Sequence, residues 1–427
     1  MTTEPSEPIE LAAAAVAPIP AVMALTAKAL HSPRVGLAAL EPLFRGLRAL
    51  ERGSATQPLV IVQIGDSHSS GDFFSARLRE LFQERFGAAG RGPLPPGMAD
   101  RYFNPKLVSV QATAGWVRAQ AKHNEDTGPF GIANIRQEAS STGERMSLRS
   151  DEADGFDTAY ATLLRRPGGG TAILRADEGP PFRISTAGKA EAPLWVDVPV
   201  PPGSREFILE TAGDGPVTVL SWGTHRRTRG VVYANFGVIG ARVDLLGRIR
   251  PDVLAVELAH LQPALVIVMF GTNEAFAGDD AVTGYEQVFS EKVRTLVGSG
   301  NNVLVLGPPD SNRRGETTIG RVCGSTPLTR VAAHGRFAGT PPRSAAWVRP
   351  ALLDLVSAGQ QSAAQRAGWM FWDWAAAMGG PCAMHGWTQS AAPLGQPDHV
   401  HLTRDGYRLS AEHLFAELMR GYAAWRP

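Results

Sequence analysis

The chain has 427 residues, 44% of them hydrophobic and 19% charged, with a formal net charge of +1. A chain of this length is longer than one that usually folds around a single hydrophobic core, and it is long enough for two domains. The near-neutral charge argues against nucleic acid or an anionic membrane as the main partner. Two cysteines, Cys323 and Cys382, exclude a disulfide scaffold or a zinc module, and the sequence leaves open whether they are bridged.

The N-terminal segment does not read as a secretory signal. It carries Glu4, Glu7 and Glu10 but no lysine or arginine before residue 20, and prolines interrupt its alanine-rich run. A signal peptide needs a positive start and an unbroken apolar stretch. No segment approaches the roughly 18 apolar residues of a membrane span. We expect 1–35 to be a weakly ordered lead.

After this lead, the sequence predicts helices and a strand up to residue 86, and only short strands over the following segment. Leucines at spacings of three or four predict a helix at 35–51, and the largely apolar run LVIVQI predicts a buried strand at 59–64. A second helix is predicted at 73–86. Short strands about ten residues apart, separated by glycine, proline and aspartate clusters, then predict an inserted β-sandwich over 101–231.

After this insert, strands and helices alternate again. The alternation predicts a doubly wound parallel sheet, an α/β domain assembled from 36–100 and 232–427. Its later strands are predicted at 264–270, 302–306 and 370–373, and its later helices at 242–249, 253–260, 285–297, 345–367 and 405–425.

Three polar stretches follow buried strands or precede the last helix, at 65–68, 271–274 and 398–403. If the sheet is parallel, the first two lie at the same edge, and the third reaches them from a long loop. Ligands bind at this edge in open α/β sheets, where backbone N–H groups are free to bind an anion. We therefore expect a functional site there.

Ser67 is the candidate nucleophile of this site. A serine hydroxyl attacks only when a base takes its proton, and His401 is the candidate base. Asp398 can hold the imidazole Nδ1–H and stabilise the imidazolium. The Ser67 N–H, the Gly240 N–H and the Asn273 side-chain amide are candidate oxyanion donors, each typically worth about 10²–10³ in rate.

Four stretches, in this order, resemble the sequence blocks of the SGNH/GDSL hydrolase superfamily. The resemblance implies a flavodoxin-like α/β fold and gives Ser67, Asp398 and His401 the triad roles and Gly240 and Asn273 the oxyanion roles. The second block departs from the familiar pattern, which has an Asn-Gly pair, so the glycine at position 237 is an alternative donor. The blocks read GDSH at 65–68, GVIGA at 237–241, GTNE at 271–274 and DHVH at 398–401.

The opening GDSHSSGDFF at 65–74 and the ending HLTRDGY at 401–407 are similar to bacterial carbohydrate O-acetylesterases of the peptidoglycan type. In those enzymes a carbohydrate-binding-like β-sandwich lies between the first two blocks, as expected here for 101–231. The resemblance implies a serine esterase that removes O-acetyl groups from a carbohydrate without a cofactor. A carbohydrate O-acetyltransferase using the same triad and a non-catalytic glycan-binding protein are the alternatives.

The compartment and the minor site residues are less defined. A cell-envelope or periplasmic substrate requires export, which the N-terminus does not show, so a cytoplasmic location stays open; the oligomeric state is not predicted.

Taken alone, Ser67 could cap the following helix. His68 either lines the site or lies on the surface, and Glu274 could pair with a surface arginine. His399 beside His401 invites a metal site, but too few ligands converge, and no metal is expected.

Overall fold

The computed structural model describes residues 36–100, 103–298, 300, 302–315, 320–327 and 344–426, so the predicted lead at 1–35 lies outside the described residues. The α-helices are α1 (Glu41–Glu51), α2 (Ser67–Ser70), α3 (Phe73–Phe86), α4 (Pro251–Leu261), α5 (Thr272–Ala277), α6 (Tyr285–Val297), α7 (Ala351–Ala367), α8 (Trp374–Met378), α9 (Ala383–Gln389) and α10 (Arg404–Ala424). The strands are β1 (Leu59–Gly65), β2 (Gly92–Leu94), β3 (Val108–Ala112), β4 (Val117–Gln120), β5 (Ile135–Ala139), β6 (Arg145–Ser150), β7 (Thr158–Arg165), β8 (Thr171–Ala176), β9 (Phe182–Ser185), β10 (Ala192–Val198), β11 (Glu206–Thr211), β12 (Val217–His225), β13 (Val231–Gly237), β14 (Leu265–Met269), β15 (Val303–Leu306), β16 (Arg313–Arg314), β17 (Gly320–Pro327), β18 (Ser344–Pro350) and β19 (Met370–Trp372).

The central sheet is parallel and has the strand order β13-β1-β14-β15-β19. Counted along the chain within this sheet, that order is second, first, third, fourth, fifth, which is the flavodoxin-like arrangement. The direction of winding reverses between β1 and β14, and ligands bind at this switch point in such folds. The doubly wound sheet expected from the alternating pattern is confirmed.

Strand β1 is apolar except at Gln63 because both of its faces are covered. Ile61 faces a core built with α1, α3 and α10, whereas Val62 and Ile64 face a second core built with α4, α6 and α7. A one-residue slip of this strand would exchange the two faces, so its register is firmly specified. The carboxyl end of β1 is thereby fixed in place beside the end of β14.

The insert consists of two antiparallel sheets, with the orders β10-β7-β12-β5-β4 and β3-β6-β11-β8-β9. They share one core, to which the first sheet contributes Leu163 and Trp222 and the second contributes Leu148 and Phe207. Strand β2 precedes the expected boundary at residue 101, yet it pairs with β12. The domain limits drawn from the sequence stay predictions.

The insert is tied to helix α4 of the α/β layer by a ring stack and a buried carboxyl group. The Trp195 ring stacks on Tyr160, with centroids 4.7 Å apart, and on His260 of α4 at 4.4 Å. Glu257 of α4 is buried and accepts hydrogen bonds from Ser221 Oγ at 2.6 Å and Ile132 N at 2.7 Å. Burial raises the pKa of Glu257 to about 7. The two layers therefore meet in a partly polar, closely packed contact.

Two segments predicted as helices differ in the structure. The first part of 345–367 is strand β18, and α7 begins only at Ala351. Proline disfavours a helical conformation in the residue before it, and here Pro350 follows Arg349, whose guanidinium is buried against Asp310 at 2.6 Å. The segment predicted at 242–249 forms a 3₁₀ helix at Val243–Arg248.

A small antiparallel sheet of β16, β18 and β17 flanks the carboxyl edge of the parallel sheet. A disulfide bond joins Cys323 of β17 to Cys382, the residue before α9, which answers the question that the sequence left open. In the part of the chain that the structure describes, no helix is long and apolar enough to cross a membrane.

Candidate active site

Ser67 stands directly after the carboxyl end of β1, as the first residue of α2. Asp66 caps this helix, and its Oδ1 accepts the His68 N–H at 2.9 Å. The Ser67 Oγ lies 3.0 Å from His401 Nε2. Because Asp72 occupies the N-cap position of α3, the interpretation of Ser67 as the cap of that helix is wrong.

His401 and Asp398 form the remainder of a hydrogen-bonded chain that begins at the serine. His401 Nδ1 lies 2.7 Å from Asp398 Oδ2, and Asp398 Oδ1 accepts the N–H groups of Val400 and His401 at 3.0 and 2.9 Å. The hydrogen bond to Asp398 raises the pKa of His401, and burial opposes it. Burial alone would raise the pKa of Asp398, but its hydrogen bonds outweigh burial and lower that pKa. The pair is thus set as a carboxylate beside an imidazole of increased basicity.

The loop that carries this pair is held by its middle residue, His399. The backbone of His399 is left-handed, with φ of 58°, and its carbonyl accepts the Asn312 N–H at 2.8 Å. Its ring stacks on Trp347 with centroids 3.5 Å apart. Among the described residues, no group of three or more His, Cys, Asp or Glu is arranged to hold a metal ion.

Asn273 reaches the same point from the first turn of α5, directly after β14. Its Nδ2 donates to the Ala241 carbonyl at 2.9 Å and lies 3.5 Å from Asp66 Oδ2. The amide is half-buried, beside the turn that holds the second candidate donor, Gly240. Asn273 thus bridges the end of β1 and this turn.

The two glycines of the second block are required for different reasons. Gly237 packs on the backbone of α2, because a Cβ there would lie 2.2 Å from Ser70 N. Gly240 has open space around it but a φ of +75°, which side chains other than glycine rarely adopt. The carbonyl of Ile239, in the same peptide unit as the Gly240 N–H, accepts a hydrogen bond from Lys122 Nζ of the insert at 2.9 Å.

Two residues have places that the sequence did not predict. Glu274 is buried rather than paired at the surface, and its Oε1 accepts the Val243 N–H at 2.8 Å, which fixes the chain just after the Gly240 turn. His68 is also buried, so a surface location is wrong. Its Nδ1 lies 2.9 Å from Tyr407 Oη, and burial lowers its pKa to about 3. A neutral imidazole therefore lies 5.3 Å from the His401 ring.

Burial raises the pKa of Glu274 to about 7, and it does the same for Asp66. Asp66 Oδ2 lies 3.5 Å from Asn273 Nδ2, and Glu274 is the next residue in the chain after Asn273. Neither has the low pKa that a carboxylate partner of the imidazole needs, whereas Asp398 does. We therefore assign Asp398, rather than Asp66 or Glu274, as the carboxylate partner of His401.

The flavodoxin-like sheet carries a hydroxyl–imidazole–carboxylate chain at its switch point, which is the arrangement of a serine hydrolase. Residues 209–409 match the model of the GDSL-like Lipase/Acylhydrolase family, and the chain carries a domain of this family. The resemblance to the SGNH/GDSL superfamily is thereby confirmed. The matched range includes Asn273, Asp398 and His401 but not Ser67. The insert separates Ser67 from these residues in the sequence, and the fold brings it within hydrogen-bonding distance of His401.

One solved structure shows the same fold over nearly the whole chain. A peptidoglycan O-acetylesterase is 24% identical and superimposes with a TM-score of 0.72, over 92% of this chain and 99% of that one. An acetyl xylan esterase is 14% identical over 44% of this chain and 80% of that one, with a TM-score of 0.28. A family two carbohydrate esterase from Clostridium thermocellum is 12% identical over 72% and 98%, with a TM-score of 0.27. No curated protein matches this sequence.

Proposed function

We propose that the protein is a serine esterase that removes O-acetyl groups from a carbohydrate through an acyl intermediate on Ser67. The observation that carries the proposal is the unbroken chain from Ser67 Oγ through the His401 ring to Asp398, with links of 3.0 and 2.7 Å. These are the distances at which a base takes a hydroxyl proton and a carboxylate stabilises the resulting imidazolium.

In the first half of the reaction, Ser67 Oγ attacks the acetyl carbonyl carbon while His401 Nε2 takes the hydroxyl proton. The carbonyl electron pair moves to the oxygen, and the N–H groups of Ser67 and Gly240 with the Asn273 amide donate to this oxyanion. The tetrahedral intermediate then collapses. The sugar oxygen leaves with the proton held by His401, and the acetyl group stays on Ser67.

In the second half, a water molecule attacks the acetyl-Ser67 ester and gives its proton to His401 Nε2. Acetate leaves as the proton returns to Ser67 Oγ, which restores the starting state. Asp398 stays ionised throughout and keeps the Nδ1–H directed at itself. If a sugar hydroxyl takes the place of water, the same site is an O-acetyltransferase.

A carbohydrate is proposed as the substrate because the peptidoglycan O-acetylesterase shares the fold over nearly the whole chain, β insert included. We also propose an extracytoplasmic location, in the periplasm or cell envelope, where such acetylated polymers lie. The disulfide between Cys323 and Cys382 supports this, because disulfides persist in oxidising compartments.

The test is hydrolysis of p-nitrophenyl acetate, and of O-acetylated polysaccharides, by the wild type and by Ser67→Ala. We expect the variant to lose about 10⁴-fold or more in kcat. Equal rates would contradict the nucleophile. Polymer binding without turnover by the wild type would favour the glycan-binding alternative, and acetylated sugar acceptors among the products would favour the transferase.

A further inference from the structure

Phe73, the first residue of α3, carries a half-buried aromatic ring. Phe73 stacks on Tyr407, with centroids 6.1 Å apart and planes 15° apart. The Tyr407 hydroxyl contacts His68, whose ring lies against His401. Phe73 is therefore linked to His401 through two intervening side chains, and five residues separate it from Ser67 along the chain.

Two cations from distant parts of the sequence converge on this ring. Lys106 Nζ of the insert lies 5.5 Å from the Phe73 ring centroid, and Arg404 Cζ, three residues beyond His401, lies 5.4 Å from it. Cation–π attraction holds both side chains there. The Lys106 backbone is also fixed, because its N–H donates to the buried Asp72 Oδ2 at 2.9 Å.

The charges of Lys106 and Arg404 are not neutralised by a carboxylate within the described ranges, where neither forms an ion pair. Nearby arginines contrast with them. Arg408, one turn along α10, pairs with Asp405 at 3.2 Å, and Arg77 of α3 pairs with Glu412 at 3.0 Å. Lys106 and Arg404 thus bring uncompensated positive charge to the Phe73 ring.

We infer that Lys106, Phe73 and Arg404 form a subsite for a carboxylate group carried by the acetylated polymer, so that the preferred substrate is an acidic polysaccharide. This inference rests on the proposed function. A uronic acid of a polymer backbone and a carboxylate on a peptidoglycan side chain share the required chemistry. Because exposed ion pairs are worth little, each cation should change the apparent affinity about two- to fivefold.

The experiment measures kcat/KM for acetate release from three polymers: an acetylated polyuronate, O-acetylated peptidoglycan and a neutral acetylated mannan. The enzymes are the wild type, Lys106→Met, Arg404→Met and the double variant, with Arg408→Met as a matched control whose cation is already paired. The preference for an acidic polymer is its kcat/KM divided by the kcat/KM on the mannan. We expect the double variant to lower this preference about five- to twentyfold, because its KM for the acidic polymer increases. Added salt should also reduce the wild-type preference for an acidic polymer, because dissolved ions screen charges that solvent can reach.

The arms separate the possible sources of the carboxylate and the possible failures. A change on the polyuronate alone or on peptidoglycan alone supports the subsite and identifies its ligand. An equal change on the neutral mannan, or the same effect from Arg408→Met, would overturn the subsite. Hydrolysis of p-nitrophenyl acetate is followed in parallel, and its absence in the wild type would instead reject the proposed esterase.

Discussion

Lys122 offers a sharp test of how the insert contributes to catalysis. Its Nζ donates to the Ile239 carbonyl at 2.9 Å. The peptide bond is planar and trans, so holding this carbonyl fixes the direction of the Gly240 N–H on the opposite side of the same plane. A cation on the carbonyl also polarises that N–H, which makes it a better donor to an oxyanion. Lys122→Met removes the donor and the charge but keeps most of the side-chain length.

The expected magnitude follows from the exposure of Lys122. A hydrogen bond to a charged group is worth about 1.5–3 kcal/mol when it is shielded from water. Here the lysine is exposed, so solvent screening reduces the effect to about 1 kcal/mol. If that energy is felt only when the oxyanion forms, kcat falls about fivefold and KM is unchanged.

The assay is steady-state hydrolysis of p-nitrophenyl acetate with the melting temperature measured on each variant. Lys122→Arg keeps a cationic donor and should recover most of kcat. Lys189→Met removes another exposed lysine of the insert and should match the wild type. A wild-type kcat in Lys122→Met, or the same decrease in Lys189→Met, would refute this role of the insert.

Three further changes test separate parts of the structure. Asn273→Ala removes an oxyanion donor and should lower kcat about 10²–10³-fold with little change in KM; a loss below about threefold would contradict that role. Asp398→Asn removes the group that raises the pKa of His401, so the acid limb of the kcat/KM–pH profile should move to lower pH while its plateau falls about 10²–10⁴-fold, and an unmoved limb would count against the pair. Glu257 keeps its proton to about pH 7 in the native state but only to about pH 4.5 in the unfolded chain, so the free energy of unfolding should fall as pH rises between these values. Glu257→Gln should remove this decrease of about 2–3 kcal/mol in denaturant titrations at pH 5 and pH 8, and identical slopes in both proteins would argue against a buried, protonated Glu257.

The elements that could be predicted from sequence are those with strong local patterns. The run at 59–64 and the periodic segment at 73–86 appear as β1 and α3 because a strand covered on both faces and an amphipathic helix leave distinct repeats. The site could be located because its residues follow the ends of parallel strands, which meet at one edge. Ser67 and His401 are 334 positions apart and within hydrogen-bonding distance.

Other features depend on contacts that have no local signature. Glu274 is expected at the surface because carboxylates are rarely buried, but the Val243 N–H, distant in sequence, donates to it and helps to keep it buried. The bond from Lys122 to Ile239 spans 117 positions between the insert and the α/β layer. Strand β18 could not be predicted from the sequence because its residues are also compatible with a helix. Its pairing with β17 decides the conformation.

The proposed mechanism depends on a covalent acetyl intermediate on Ser67. Wild-type enzyme is mixed with p-nitrophenyl acetate, quenched in acid within the first turnovers, digested and mapped by mass spectrometry, with Ser67→Ala treated in parallel. We expect one added acetyl group on the peptide that contains Ser67. It should be lost on longer incubation, as acetate is released, and it should be absent in the variant. Turnover without acetylated Ser67 would contradict this intermediate. So would acetylation of a different residue in both the wild type and the variant.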